Sequence, residues 1–198
     1  MAREAARRSQ CAENMKQLTM AINLYANSKG QLPASRTVIT DTTPLRPPPD
    51  PGAAPGTYVV NWVCPVLAEL EQGALHREIM RTGDLPDPDP ADPMPIKVLI
   101  CPSQPDNRFA SEDYPLSYVV NGGRANFTDT SATPPIVNFD FVANGVFIDK
   151  GVSGTTGTDK HRIEEISKYD GTSNTLMLSE NANVGSWLYA PREQYSQM

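Results

Sequence analysis

The stretch Cys11-Ala12-Glu13-Asn14-Met15-Lys16-Gln17-Leu18-Thr19-Met20-Ala21-Ile22-Asn23-Leu24-Tyr25 decides how the chain is read. Cys11, Met15, Leu18, Ile22 and Tyr25 are spaced four, three, four and three residues apart, which lines them up along one side of an α-helix. A strand would alternate every second residue, and this stretch does not. Good helix formers fill the preceding turns (Ala2, Glu4, Ala5, Ala6, Arg7, Arg8). Lys29-Gly30 supplies a cation for the negative end of the helix dipole and then a residue that accepts the left-handed cap conformation. The spacing predicts a helix over 2–28 with its stripe facing a core.

Outward from that helix the chain becomes irregular. Residues 41–57 contain Pro44, Pro47, Pro48, Pro49, Pro51 and Pro55, and the missing amide donors exclude regular helix and central strand. Residues 84–95 interleave Asp84, Asp87, Asp89 and Asp92 with five prolines, reading as an extended solvated spacer. A calcium site there would need a sharp turn, usually with Gly, and a Glu at fixed spacing, and the segment has neither. Between these loops Trp62, Val63, Val66, Leu67, Leu70, Ala74, Leu75 and Ile79 recur at helical spacing, predicting a second helix over about 64–81. Beyond Pro95 the apolar runs are short: 96–101, 117–121, 138–143, 145–148 and 175–179 read as strands, with Asn144-Gly145 as a hairpin turn. Helices first and strands later predict an α+β fold in which the first helix covers an antiparallel sheet built after residue 95. No internal repeat is evident.

Composition narrows the function classes. The 198 residues suit one domain, 1–198, with a core of its own. A formal charge of -6, from 17 Lys+Arg against 23 Asp+Glu, argues against tracking nucleic-acid phosphates. No run of 18 apolar residues exists, and Met1–Arg8 lacks the apolar stretch of a signal peptide.

Chemistry-bearing residues are sparse. His76 and His161 have no Cys or second His at ligand spacing and read as solvated side chains rather than zinc ligands. Cys64 has no identifiable base to make it a thiolate. Gly151–Gly157 holds three glycines but lacks the Lys of a phosphate loop. Asp170-Gly171-Thr172-Ser173-Asn174 reads as a structural turn entering a strand around Leu176, because Asp and Asn bond the local backbone and Gly171 permits positive φ. Ser173 as a nucleophile has no assignable histidine. No catalytic, metal or cofactor-binding residue is assigned, and a hydrolase finds no acid/base pair among the carboxylates.

The string Ala2-Arg3-Glu4-Ala5-Ala6-Arg7-Arg8-Ser9-Gln10-Cys11-Ala12-Glu13-Asn14-Met15-Lys16-Gln17-Leu18 resembles a planctomycete-type family of unknown function with prepilin-type N-termini. Leu67-Ala68-Glu69-Leu70-Glu71-Gln72-Gly73-Ala74-Leu75, Cys101-Pro102-Ser103, Ser117-Tyr118-Val119-Val120-Asn121 and Asp170–Thr175 with Glu180 continue the likeness. The family's terminal His-x9-Asp-Gly segment is not found after Glu180. The resemblance implies a pilin-like fold in which 2–28 is the exposed half of a longer helix, whose membrane half would precede Met1. It implies a pseudopilin-like assembly role in a type II secretion or type IV pilus-like system, with other pilin-like subunits as partners and no catalysis. The location implied is extracytoplasmic, anchored at the inner membrane. The family has a cysteine in both the "RRSQC" and "CPS" segments, so the resemblance implies a Cys11–Cys101 disulfide with Cys64 a buried thiol; three reduced thiols are the alternative. The rival function is an extracytoplasmic module binding a small molecule or polysaccharide, motivated by Trp62, Trp187 and Tyr189.

Overall fold

The computed structural model describes residues 2–40, 57–82, 95–104, 114–123, 128–129, 136–137, 145–150, 161–169, 171–181 and 186–188. Its helices are α1 (Ala2–Lys29), α2 (Val63–Val66), α3 (Gly73–Arg77) and α4 (Ile163–Tyr169). Its strands are β1 (Arg36–Thr40), β2 (Thr57–Asn61), β3 (Tyr118–Val120), β4 (Thr128–Asp129), β5 (Ile136–Val137), β6 (Asp149–Lys150) and β7 (Leu178–Glu180). The fold is α+β, a long first helix with small sheets.

α1 follows from its periodicity. Its buried residues are Cys11, Asn14, Leu18, Ala21, Ile22 and Ala26, with Met15 and Tyr25 partly buried beside them. Gly30 ends it: at φ +67° its N–H reaches the Ala26 carbonyl at 2.8 Å, satisfying one of the last helical acceptors. None of residues 2–10 is buried.

The second helix departs from the expectation of one element over 64–81. α2 passes into a 3₁₀ turn at Leu67–Leu70, Glu71 takes a left-handed conformation at φ +63°, and α3 is followed by a π-helical turn at Glu78–Thr82. The Gln72 N–H closes back on the Leu67 carbonyl at 2.9 Å, a helix C-terminus in the middle of the apolar pattern. The bend lets Val63, Val66 and Leu67 on one arm and Ile79 on the other all reach the same core.

The sheets also correct the reading. Among the described residues the largest sheet has the order β2-β1-β6, so two of its three strands precede residue 95. β1 and β2 pair antiparallel from Arg36↔Asn61 to Thr40↔Thr57, and β6 joins β1 in parallel at Arg36↔Asp149. The β-branched and aromatic runs Thr37-Val38-Ile39-Thr40 and Thr57-Tyr58-Val59-Val60 carry that signal. Thr57 therefore begins a strand, while positions 41–56 and 84–94 lie outside the described residues. β3 and β7 form a second antiparallel pair, and β4 with β5 a third.

Segment 96–101 is not a strand but a 3₁₀ turn at Lys97–Leu99. Nor is 145–148: Val146 and Phe147 both donate their N–H groups to the Asn121 carbonyl, at 2.9 and 3.0 Å, instead of joining a ladder. Gly145 sits against Gly122 and Gly123, where a Cβ would overlap their backbone. Segment 138–143 and Asn144 lie outside the described residues. Among the described residues α1 meets the later strands at the short antiparallel β3–β7 pair, and it packs besides on α2 and on the Leu67–Leu70 and Lys97–Leu99 turns. Strands of two to five residues offer no face broad enough for a 28-residue helix.

The chain from Ser186 to Leu188 closes the core. Trp187 is fully buried, meets Tyr114 edge to face at 5.4 Å between ring centres, and donates its N–H to the Tyr114 carbonyl at 2.8 Å. Asn61 anchors the same segment, its backbone N–H on the Leu188 carbonyl at 3.2 Å and its side chain on the Ser186 carbonyl at 3.2 Å. Arg36, buried, pairs with Asp149 across the β1–β6 register, with Nε 3.0 Å from Oδ1 and the second guanidinium nitrogen on Oδ2.

Candidate functional site

Segments far apart in sequence converge where α1 meets the β3–β7 pair. Cys11 of α1 and Cys101, at the end of the Lys97–Leu99 turn, are joined by a disulfide with Cα atoms 4.9 Å apart. The pairing is the one that the family resemblance implies. α1 presents Cys11 on its buried stripe, and the next buried position along that stripe is polar. Asn14 donates Nδ2 to the Ile100 carbonyl at 2.9 Å and accepts from Gln10 Nε2 at 3.1 Å. The Tyr118 hydroxyl of β3 reaches the Cys11 carbonyl at 3.4 Å.

A second network holds the Cys101-Pro102-Ser103 segment. The turn closes by the Gln104 N–H on the Cys101 carbonyl at 3.0 Å. The Cys101 N–H donates to Ser117 Oγ at 2.9 Å, and that hydroxyl donates to Gln104 Oε1 at 2.8 Å. Gln104 Nε2 continues to the Asn181 carbonyl at 3.2 Å, and the Asn181 N–H returns to the Ser117 carbonyl at 3.0 Å. Each buried polar group in this ring has a partner, which makes the arrangement rigid. Exposed Ser103 touches Glu4 Oε1 at 3.5 Å, and Pro102 is half-buried.

Glu180 ends β7 opposite Tyr118, and its carboxylate lies within 4.8 Å of both cysteine sulfurs. Burial pushes the Tyr118 phenol up to about 12, with the Asn14 bond lowering it and the Glu180 charge raising it. Oxidised to a disulfide, the two sulfurs are not thiolate ligands, so the trio is not arranged as a metal centre.

The Gly171–Asn174 turn stands apart from this cluster. Gly171, at φ +77°, donates to the Ile166 carbonyl at 2.9 Å and caps α4, while its own carbonyl accepts from Asn174 N at 3.2 Å and Thr175 Oγ1 at 3.0 Å. Thr172, Ser173 and Asn174 are exposed, and Asp170 lies outside the described residues. The strand that follows begins at Leu178 rather than around the exposed Leu176. The turn delivers the Leu176 and Met177 carbonyls to Asn121, at 2.9 and 3.0 Å.

His161 corrects the expectation of a solvated side chain. It is buried, with Nδ1 2.8 Å from the Val146 carbonyl and its backbone carbonyl accepting the Leu32 N–H at 2.8 Å. The charged neighbours Lys160 and Arg162 disguise in sequence a residue that docks two distant segments. His76 is half-buried, and burial lowers its pKa, opposed by the Glu69 charge. Cys64 is wholly buried, its thiol 3.9 Å from the Trp187 and Leu188 carbonyls, and burial pushes its pKa far above the usual range. No thiolate nucleophile exists there. Trp62 and Trp187 are both fully buried, so neither is a stacking platform for a sugar or ring; Tyr189 lies outside the described residues.

Residues 1–195 match the protein family described as SBP_bac_10, Protein of unknown function (DUF1559). The chain belongs to this family. No curated protein and no solved structure matches it. Within this DUF1559 chain, the family resemblance named the cysteines and Glu180, His161 reads in sequence as solvated, and Asn14, Gln104 and Asn181 were missed. Asn14 was detectable, since it lies three residues after Cys11 and four before Leu18, on the stripe itself. Gln104 and Asn181 carry no local signal. Among the described residues no helix is long and apolar enough to cross a membrane.

Proposed function

We propose that this DUF1559 protein is a structural and assembly subunit of pseudopilin type, carrying out no bond-making chemistry. In its full form a membrane helix would precede α1, holding the domain on the extracytoplasmic side of the inner membrane. The supporting observation is the division of α1. Its residues 11–26 pack into the core, while residues 2–10 bury no side chain and carry Arg3, Arg7 and Arg8 among small alanines. That leading part extends roughly 13 Å at 1.5 Å per residue. A helix built this way is a core element at one end and a surface for neighbouring subunits at the other. The disulfide is compatible with an oxidising compartment.

A binding module for a small molecule or polysaccharide has less support, because the tryptophans that motivate it are buried. The deciding experiment uses the full-length protein in its own cells, with a photo-crosslinking amino acid at Ala6 or, as a control, at buried Ala21. Cross-links from Ala6 to pilin-like subunits in the inner-membrane fraction are expected. A soluble protein that gives no such cross-link would overturn the assembly reading.

A further inference from the structure

Cys11 and Cys101 are 2% and 1% exposed, so the disulfide is almost sealed, yet an exposed carboxylate, Glu180, stands within 4.8 Å of both sulfurs. Glu180 ends a two-stranded sheet, and among the described residues no cation pairs with it. Charges at the start of α1 also reach the Cys101-Pro102-Ser103 segment. There Glu4, which touches Ser103, is matched by Arg8 at 3.4 Å and Arg7 at 3.9 Å. Glu180 therefore places one negative charge beside the sulfurs.

We propose that Glu180 is an electrostatic guard on the Cys11–Cys101 disulfide, selecting against small anionic thiols as reductants. Reduction begins when a thiolate RS⁻ attacks one cysteine sulfur; the S–S bond breaks as the mixed disulfide forms, and the other cysteine leaves as a thiolate with the electron pair. A second RS⁻ attacks the R-side sulfur of the mixed disulfide, releasing RSSR and the second cysteine thiolate, and the two cysteines take up the two protons that the reductant thiols gave. Two RSH are oxidised to RSSR while one protein disulfide becomes two thiols. Glu180 opposes this twice. Its charge repels the incoming RS⁻, and it disfavours the cysteine thiolate that must leave, making it a poorer leaving group. The clip joining α1 to the Cys101 turn thus resists an anionic thiol more than a cationic or neutral reductant of equal strength. This holds whether or not the assembly role does.

The test is the rate of reduction of the oxidised chain, followed by quenching with an alkylating agent and mass measurement, for the natural protein, Glu180→Gln and Glu180→Asp. With glutathione at low ionic strength, Glu180→Gln is expected to be reduced about 3- to 10-fold faster, as removal of one unit charge some 5 Å away implies. Glu180→Asp, which keeps the charge, should stay near the natural rate. The Glu180→Gln advantage should shrink in about 1 M salt and with the cationic aminothiol cysteamine. Equal rates with glutathione for the natural and Gln chains would overturn the proposal. So would an acceleration independent of salt and of reductant charge, since that reports a loosened fold.

Discussion

Asn14 donates its Nδ2 to the Ile100 carbonyl at 2.9 Å, joining the middle of α1 to a loop 86 residues away and one residue short of the disulfide. Asn14 is buried, so both groups exchange water for each other, and losing one leaves the other unpaired in a dry site. Asn14→Ala is expected to lower stability by about 1 to 3 kcal/mol. Denaturant unfolding with the disulfide intact measures it.

The disulfide closes a separation of 90 residues. Cross-linking a loop of that length removes unfolded-state entropy worth roughly 3 to 5 kcal/mol in the chain-entropy account. Cys11→Ser with Cys101→Ser, or reduction of the natural chain, should therefore lower the unfolding midpoint clearly. Scanning calorimetry with and without a reductant checks this, and an unchanged midpoint would contradict the bridge.

Cys64 is sealed beneath Trp187 and Leu188, and its thiol is held protonated by burial. Iodoacetamide at neutral pH should leave the folded protein unlabelled and add one group per chain, on Cys64, once denaturant opens the core. Peptide mapping identifies the site. Labelling of Cys64 in the folded state would show that the Ser186–Leu188 segment does not seal it.

Gly145 presses on the backbone of Gly122 and Gly123. Gly145→Ala adds a methyl where no flexible side chain can yield, so the loops must separate. A loss of about 1 to 3 kcal/mol is expected, as for overpacking in a close-packed region. Gly30→Ala is a useful contrast. Space is open around Gly30, and only its φ of +67° opposes the change.

Tyr118 titrates near 12 in the fold against about 10 when unfolded. The neutral phenol is the form the fold prefers, so this contribution to stability is whole below pH 10 and is lost as pH rises from 10 toward 12. Unfolding measured across that interval should show a decline that is shallower in Tyr118→Phe. An identical decline in both would assign the alkaline loss to other groups.

Local spacing alone determined α1, because a helix brings positions i, i+3 and i+4 onto one face and residues 11–25 carry their apolar groups at those intervals. Its end at Lys29-Gly30 was equally local. The same rule failed over 64–81. Apolar spacing continues through Glu71, but the backbone turns left-handed there so that both arms can reach one core, a gain no window of sequence contains. β1 and β2 went unread in the sequence despite their β-branched runs, and the pairing of β1 with β6 joins residues more than a hundred positions apart. His161 shows the limit most plainly. Among charged neighbours it reads as a surface residue, and only the arrival of Leu32 and Val146 beside it makes it a buried tie. The cysteine pairing came from likeness to a family, whereas the meeting of positions 11, 101 and 180 came from folding. Distance between such positions depends on how loops close and how side chains fill the core, and neither quantity is written in local residue spacing.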